Sequence, residues 1–158
     1  MIYLVHHGDA LPAHAEPTRP LSPDGHRVTE RLAVRAAALG AKPAAVYHSG
    51  KLRARETAQI YWTACNPFAA FKAMKGLQPD DDPSLAVSLI DTEGRTDDLM
   101  LVGHFPHLPR LLAALLLSPT QAGATPTFPQ HGVVALEPAD DGRWREVWRL
   151  TVDEAAAH

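Results

Sequence analysis

A three-layer α/β/α sandwich around a mainly parallel central sheet is the fold this sequence predicts. Three observations carry it. Short apolar runs end abruptly in polar turns, helical patterns follow them, and two strand-like segments split by a turn close the chain. Ile2 to Val5 is the first run, continuous rather than alternating, as suits a strand buried on both faces. Residues 9 to 21 carry Pro12, Pro17 and Pro20 and read as loop. Ser22-Pro23-Asp24-Gly25 then supplies a capping hydroxyl, a proline at the first helical position and an acid in the first turn. Apolar residues at Val28, Leu32, Ala36 and Leu39 continue that helix, and Gly40 ends it.

The pattern repeats. Ala44 to Tyr47 is a second strand running into His48-Ser49-Gly50, followed by a helix from about Leu52 to Thr63. Residues 66 to 83 hold three prolines and read as loop with one strand near Phe71 to Met74, and Ser84 to Asp91 reads as a short helix. Leu99 to Val102 is a third strong strand, ending in Gly103-His104 and leading through Pro106 into an apolar helix from His107 to Leu117. Val133 to Glu137 and Trp144 to Leu150, separated by Asp140-Asp141-Gly142, read as a hairpin. The chain is expected to form one domain over residues 1 to 152, with 153 to 158 a frayed tail.

Composition narrows the function classes. With 15 Lys+Arg against 18 Asp+Glu the formal charge is -3, which speaks against a broad nucleic-acid surface. Met1 to Val5 lacks the basic flank of a signal peptide, and Leu111 to Leu117 is far too short to span a bilayer. The single Cys65 cannot make an internal disulfide. A cytoplasmic protein without a membrane or nucleic-acid partner is expected.

In sheets of this kind ligands bind beyond the carboxyl ends of the strands. His7-Gly8 ends the first strand, Arg53 begins the second helix and His104 ends the third long strand, so all three converge on one edge. A neutral imidazole is a competent nucleophile toward phosphorus, and a guanidinium holds phosphoryl oxygens bidentately as charge builds. Arg55, two positions on, faces away from Arg53.

These residues fall in four motifs. They are Leu4-Val5-His6-His7-Gly8-Asp9-Ala10, Arg19-Pro20-Leu21-Ser22 with Gly25, Ser49-Gly50-Lys51-Leu52-Arg53-Ala54-Arg55-Glu56-Thr57, and Leu101-Val102-Gly103-His104-Phe105-Pro106. In that order and spacing the sequence resembles the histidine phosphatase superfamily, whose phosphoglycerate mutase-like members carry Arg-His-Gly after the first strand. Among them it is most similar to the small SixA-type phosphohistidine phosphatases, over nearly the whole chain to about Leu150. The resemblance implies a phosphoglycerate mutase-like fold and no cofactor or metal. It also implies hydrolysis of phosphohistidine through a phosphorylated His7, with Arg53 and His104 binding the phosphoryl group and Arg19 at the pocket edge. Gly8 lets the backbone approach the phosphate.

One position departs from the pattern: His6 stands where the family has arginine. A neutral histidine offers the anion one donor, so the phosphate clamp is expected to be weaker. Beside a bound phosphate dianion His6 is expected to gain charge at mildly acid pH, and His6→Arg to restore affinity and turnover. The large members of the family place a carboxylic acid over the leaving group; here Asp80, Asp81 and Asp82 are the candidates. His48 is assigned equally to the pocket rim and to structural hydrogen bonding. Asp9 is read as shaping its turn, and the roles of His107 and His131 are undecided at this level.

The expected substrate is a phosphorylated histidine-containing protein, with a small phosphorylated metabolite as the alternative. Two other classes compete. A weakened relative would bind phosphate or a phosphoprotein without turnover, because of His6. A metal-dependent hydrolase would use His6, His7 and His104 as ligands, although the sequence has no HxH, HExxH or Cys-pair spacing.

Overall fold

The structure, a computed structural model, describes residues 1–121 and 126–156. Its six strands are β1 (Ile2–His6), β2 (Ala45–His48), β3 (Ala70–Ala73), β4 (Leu99–Gly103), β5 (Val133–Pro138) and β6 (Trp144–Leu150). They form one sheet in the order β3-β2-β4-β1-β5-β6. The first four run parallel, whereas β5 is antiparallel to β1 and β6 antiparallel to β5, as the expected hairpin requires. β1 and β4 are buried along their whole length, which is why their sequences are apolar without alternation.

Alternate side chains of the sheet feed two separate cores. Tyr3, Val5, Val46, Met100 and Val102 pack against α1 (Pro23–Ala38), α2 (Leu52–Cys65) and α5 (Val152–Ala156). Ile2, Leu4, Leu99 and Leu101 pack on the other face against α3 (Ser84–Thr92) and α4 (His107–Leu116). Three layers result, as expected from the sequence. Ser22 caps α1, its hydroxyl accepting from Gly25 N at 2.9 Å, and Gly40 follows the helix with φ +94°.

The tail departs from expectation. Asp153 to Ala156 is helical rather than frayed, because Ala155 is buried against α1 and Arg35 Nη1 donates to the Glu154 carbonyl at 3.2 Å. Residues 157 and 158 lie outside the described residues. Among the described residues, no helix is long and apolar enough to cross a membrane.

Candidate active site

The register of the parallel strands assembles the site. His6 lies opposite Gly103 across β1 and β4, and His48 opposite Val102 across β2 and β4, so His7, Ser49 and His104 emerge together at the carboxyl edge. His7 N–H donates to the Gly103 carbonyl at 3.1 Å, and the His7 and His104 rings lie 5.0 Å apart between centroids. They help line a cleft of about 380 Å³, together with His6, Arg19, Arg53, Phe105 and His131.

Gly8 turns the chain where nothing larger fits. A Cβ there would lie 2.4 Å from Thr29 Oγ1 on α1. Gly8 N–H donates to Thr57 Oγ1 at 2.9 Å, and that hydroxyl donates to the Arg53 carbonyl at 2.8 Å. One threonine thus ties the turn of α2 that bears Arg53 to the backbone beside His7. Arg55 is exposed on another face, as the helical spacing predicts. Arg19 lies opposite, with φ +51° and Nε bonded to the Leu11 carbonyl at 3.1 Å. Glu56 fixes the end of the same loop by accepting from Leu21 N–H.

Hydrogen bonds settle the proton positions. His7 Nδ1 lies 2.7 Å from the Gly8 carbonyl; a carbonyl only accepts, so Nδ1 carries the proton and Nε2 keeps its lone pair. Burial is the main cause lowering the His7 pKa, to about 4, with Arg53 beside it adding to the effect, and the ring is neutral at pH 7. His104 Nε2 lies 2.6 Å from Ser49 Oγ, which itself accepts from Lys51 N–H. The hydroxyl proton is then free for Nε2, leaving the ring proton on Nδ1. Burial, then His7 and Arg53, bring the His104 pKa down to about 3.

His104 Nδ1 and Arg53 Nε are buried without a protein partner. Buried donors are rarely left so, and here both belong to residues lining one cleft, as an oxyanion site requires. Burial and the neighbouring Arg19 lower the Arg53 pKa, but a guanidinium remains charged.

His6 is held differently from the expectation. Its ring stacks on Phe105 at 4.0 Å on one side and on His131 at 4.9 Å on the other, and its Nδ1 accepts the His131 backbone N–H at 2.8 Å. Burial first, then His7 and His131, push its pKa to about 2. The ring is a neutral donor through Nε2–H. Protonating Nδ1 would set two donors against each other, so the expected acid-side gain of charge is corrected.

The same bond revises the arginine substitution. His6→Arg removes the acceptor of the His131 N–H and the stacked ring, so it is expected to cost about 1–3 kcal/mol rather than simply repair the clamp. Thermal unfolding of the variant, measured beside its tungstate affinity, checks this; an unchanged midpoint with tighter tungstate binding contradicts it.

Other sequence-derived candidates lie outside the cleft. His48 Nδ1 accepts from Gly50 N–H and its ring packs on Phe71, which is the structural alternative. Asp81 and Asp82 line a neighbouring groove with Ser49, Gln78 and Ser84; Asp81 accepts from Gln78 N–H and Asp82 from Ser84 N–H. Sequence reasoning missed Thr57 and Ser49 as supports, though both stand in the quoted motifs, and it left His131 without a role.

Ring nitrogens of His6, His7 and His131, not His104, lie within 4.8 Å of one another and form a candidate metal triad. His6 fits it poorly: its Nδ1 lone pair is taken by a backbone N–H, so its other nitrogen carries a proton instead of a lone pair.

No protein-family model matches the sequence, and no curated protein matches it. Solved structures do. The protein histidine phosphatase SixA complexed with tungstate superposes with a TM-score of 0.81 at 21% identity, over 96% of this chain and 97% of that one. A protein from Agrobacterium tumefaciens described as a phosphohistidine phosphatase SixA gives a TM-score of 0.77 at 26% identity, over 95% and 96%. A mutant of phosphoserine phosphatase from Entamoeba histolytica, in complex with phosphoserine, gives 0.70 at 13% identity, over 97% and 98%. Over nearly its whole length this chain has the fold of the histidine phosphatase superfamily, with SixA phosphohistidine phosphatases among its structural neighbours.

Proposed function

We propose that this chain is a metal-independent phosphatase that transfers a phosphoryl group to His7 and then to water. The observation that supports it most is the fixed tautomer of His7, whose free Nε2 belongs to a cleft also lined by two guanidinium groups and two neutral imidazole donors. In the first step His7 Nε2 attacks phosphorus as the bond to the leaving group breaks. Arg53 and Arg19 carry the positive charge that receives the phosphoryl oxygens, and His6 Nε2–H and His104 Nδ1–H add donors. In the second step water displaces the imidazole and phosphate leaves.

Phosphohistidine on a protein is the proposed substrate, because a leaving imidazole can carry its own proton near neutral pH. The SixA neighbours support that reading. A cytoplasmic location is proposed with it, on the single cysteine of the sequence.

Hydrolysis of a phosphohistidine peptide in the presence of a chelator tests the proposal. Turnover is expected to survive chelation. It is also expected to persist as pH falls from 7 to 5 and to fail near pH 4, where protonation takes the His7 lone pair. No hydrolysis, or hydrolysis abolished by the chelator, contradicts the proposal.

A further inference from the structure

The loop entering β5 delivers a further imidazole to the cleft. His131 adopts φ +57°, a left-handed conformation that costs a non-glycine residue free energy unless its surroundings hold it there. Two bonds do so. Its backbone N–H donates to His6 Nδ1, and its ring Nδ1 lies 2.6 Å from the His7 carbonyl. Since that carbonyl only accepts, the proton sits on Nδ1 and the remaining Nε2 is free. The half-buried ring lines the cleft beside His7 and Arg53, a ring nitrogen within 4.8 Å of one on His7.

Of the acidic groups near the site, Asp81 and Asp82 belong to the adjoining groove, and Asp9, which does line the cleft, accepts the Ser22 hydroxyl proton at 2.7 Å. An imidazole with one nitrogen anchored and the other free toward the cleft has the geometry to pass a proton to and from a bound substrate.

We propose that His131 is the general acid and base of this site, and that it extends hydrolysis to phosphate monoesters of simple alcohols. The inference rests on the phosphatase reading above. The step starts from the His131 imidazolium, with one proton on Nδ1 held by the His7 carbonyl and a second on Nε2. As His7 Nε2 bonds to phosphorus and the P–O bond breaks, the departing oxygen takes the His131 Nε2 proton, leaving a neutral alcohol and a neutral His131. Water then attacks the phosphorylated His7, giving one proton to His131 Nε2. The P–N bond breaks with its electron pair returning to His7, and His131 is again protonated.

Two substrates separate this role from a structural one. p-Nitrophenyl phosphate needs no proton on its leaving group, whereas phosphoserine does. In His131→Asn, and in His131→Gly, which takes the left-handed backbone without strain, the backbone N–H bond from position 131 to His6 is kept. The kcat/KM for phosphoserine, which reports transfer to His7 and not the shared hydrolysis of phospho-His7, is expected to fall by ~10²- to 10⁴-fold and that for p-nitrophenyl phosphate by less than about tenfold. Equal falls in kcat/KM for both substrates, or no fall, overturn the role of His131 and leave the phosphatase reading intact. A wild-type chain that hydrolyses p-nitrophenyl phosphate but not phosphoserine does the same. If the wild type hydrolyses neither compound nor a phosphohistidine peptide, the phosphatase reading fails and takes this inference with it.

Discussion

His7→Ala is expected to reduce turnover on the order of 10⁴- to 10⁶-fold, the scale on which removing a nucleophile acts. Neither His104 nor His6 can take its place, since His104 Nε2 is bonded to Ser49 and His6 presents an N–H. The fold should tolerate the change. The lost bond to the Gly8 carbonyl is worth about 1 kcal/mol, and the Gly8 turn is held separately by Thr57. The variant should therefore still bind tungstate while failing to turn over. Retained wild-type turnover in His7→Ala would assign the chemistry to another residue.

Arg53→Lys is the second large effect. Lysine keeps the charge but replaces a planar fork by a point charge, and with His6 and His104 both neutral the permanent positive charge in the cleft comes from Arg53 and Arg19. A loss of ~10²- to 10³-fold is expected in kcat/KM. The buried Nε without a protein partner makes the point sharper, since an ammonium cannot reproduce a donor at that position. A loss under about tenfold would mean that the phosphoryl group is held elsewhere.

Much of this was legible in the sequence because it is local. Ser22-Pro23 and Gly40 mark the ends of α1 by backbone chemistry that needs no tertiary contact. The unbroken apolar runs at β1 and β4 announce strands buried on both faces, and their polar ends announce the edge where His7 and His104 stand. Arg53 was separable from Arg55 by helical spacing alone.

What was not legible depends on pairings distant in sequence. His131 reaches the cleft only because β5 runs antiparallel to β1, so that its first residue, Val133, pairs with Val5 and the preceding loop lands on the His6–His7 edge. The expected charging of His6 failed for the same reason: a backbone N–H from 125 residues away occupies its Nδ1. Asp81 and Asp82 sat in a loop whose course the sequence did not determine, and their carboxylates cap local backbone N–H groups instead. The tail became helical because Ala155 finds the α1 face of the core.

The central claim is that phosphoryl transfer passes through the Nε2 atom of His7. Its most direct test is to mix the protein with a radiolabelled phosphoramidate, quench within milliseconds and locate the label by mass spectrometry of the peptides. The account predicts an acid-labile, base-stable phosphoryl group on the peptide carrying His7, absent from His7→Ala and chased into inorganic phosphate by unlabelled substrate. Label on another residue, or hydrolysis with no label trapped at any quench time, would contradict it.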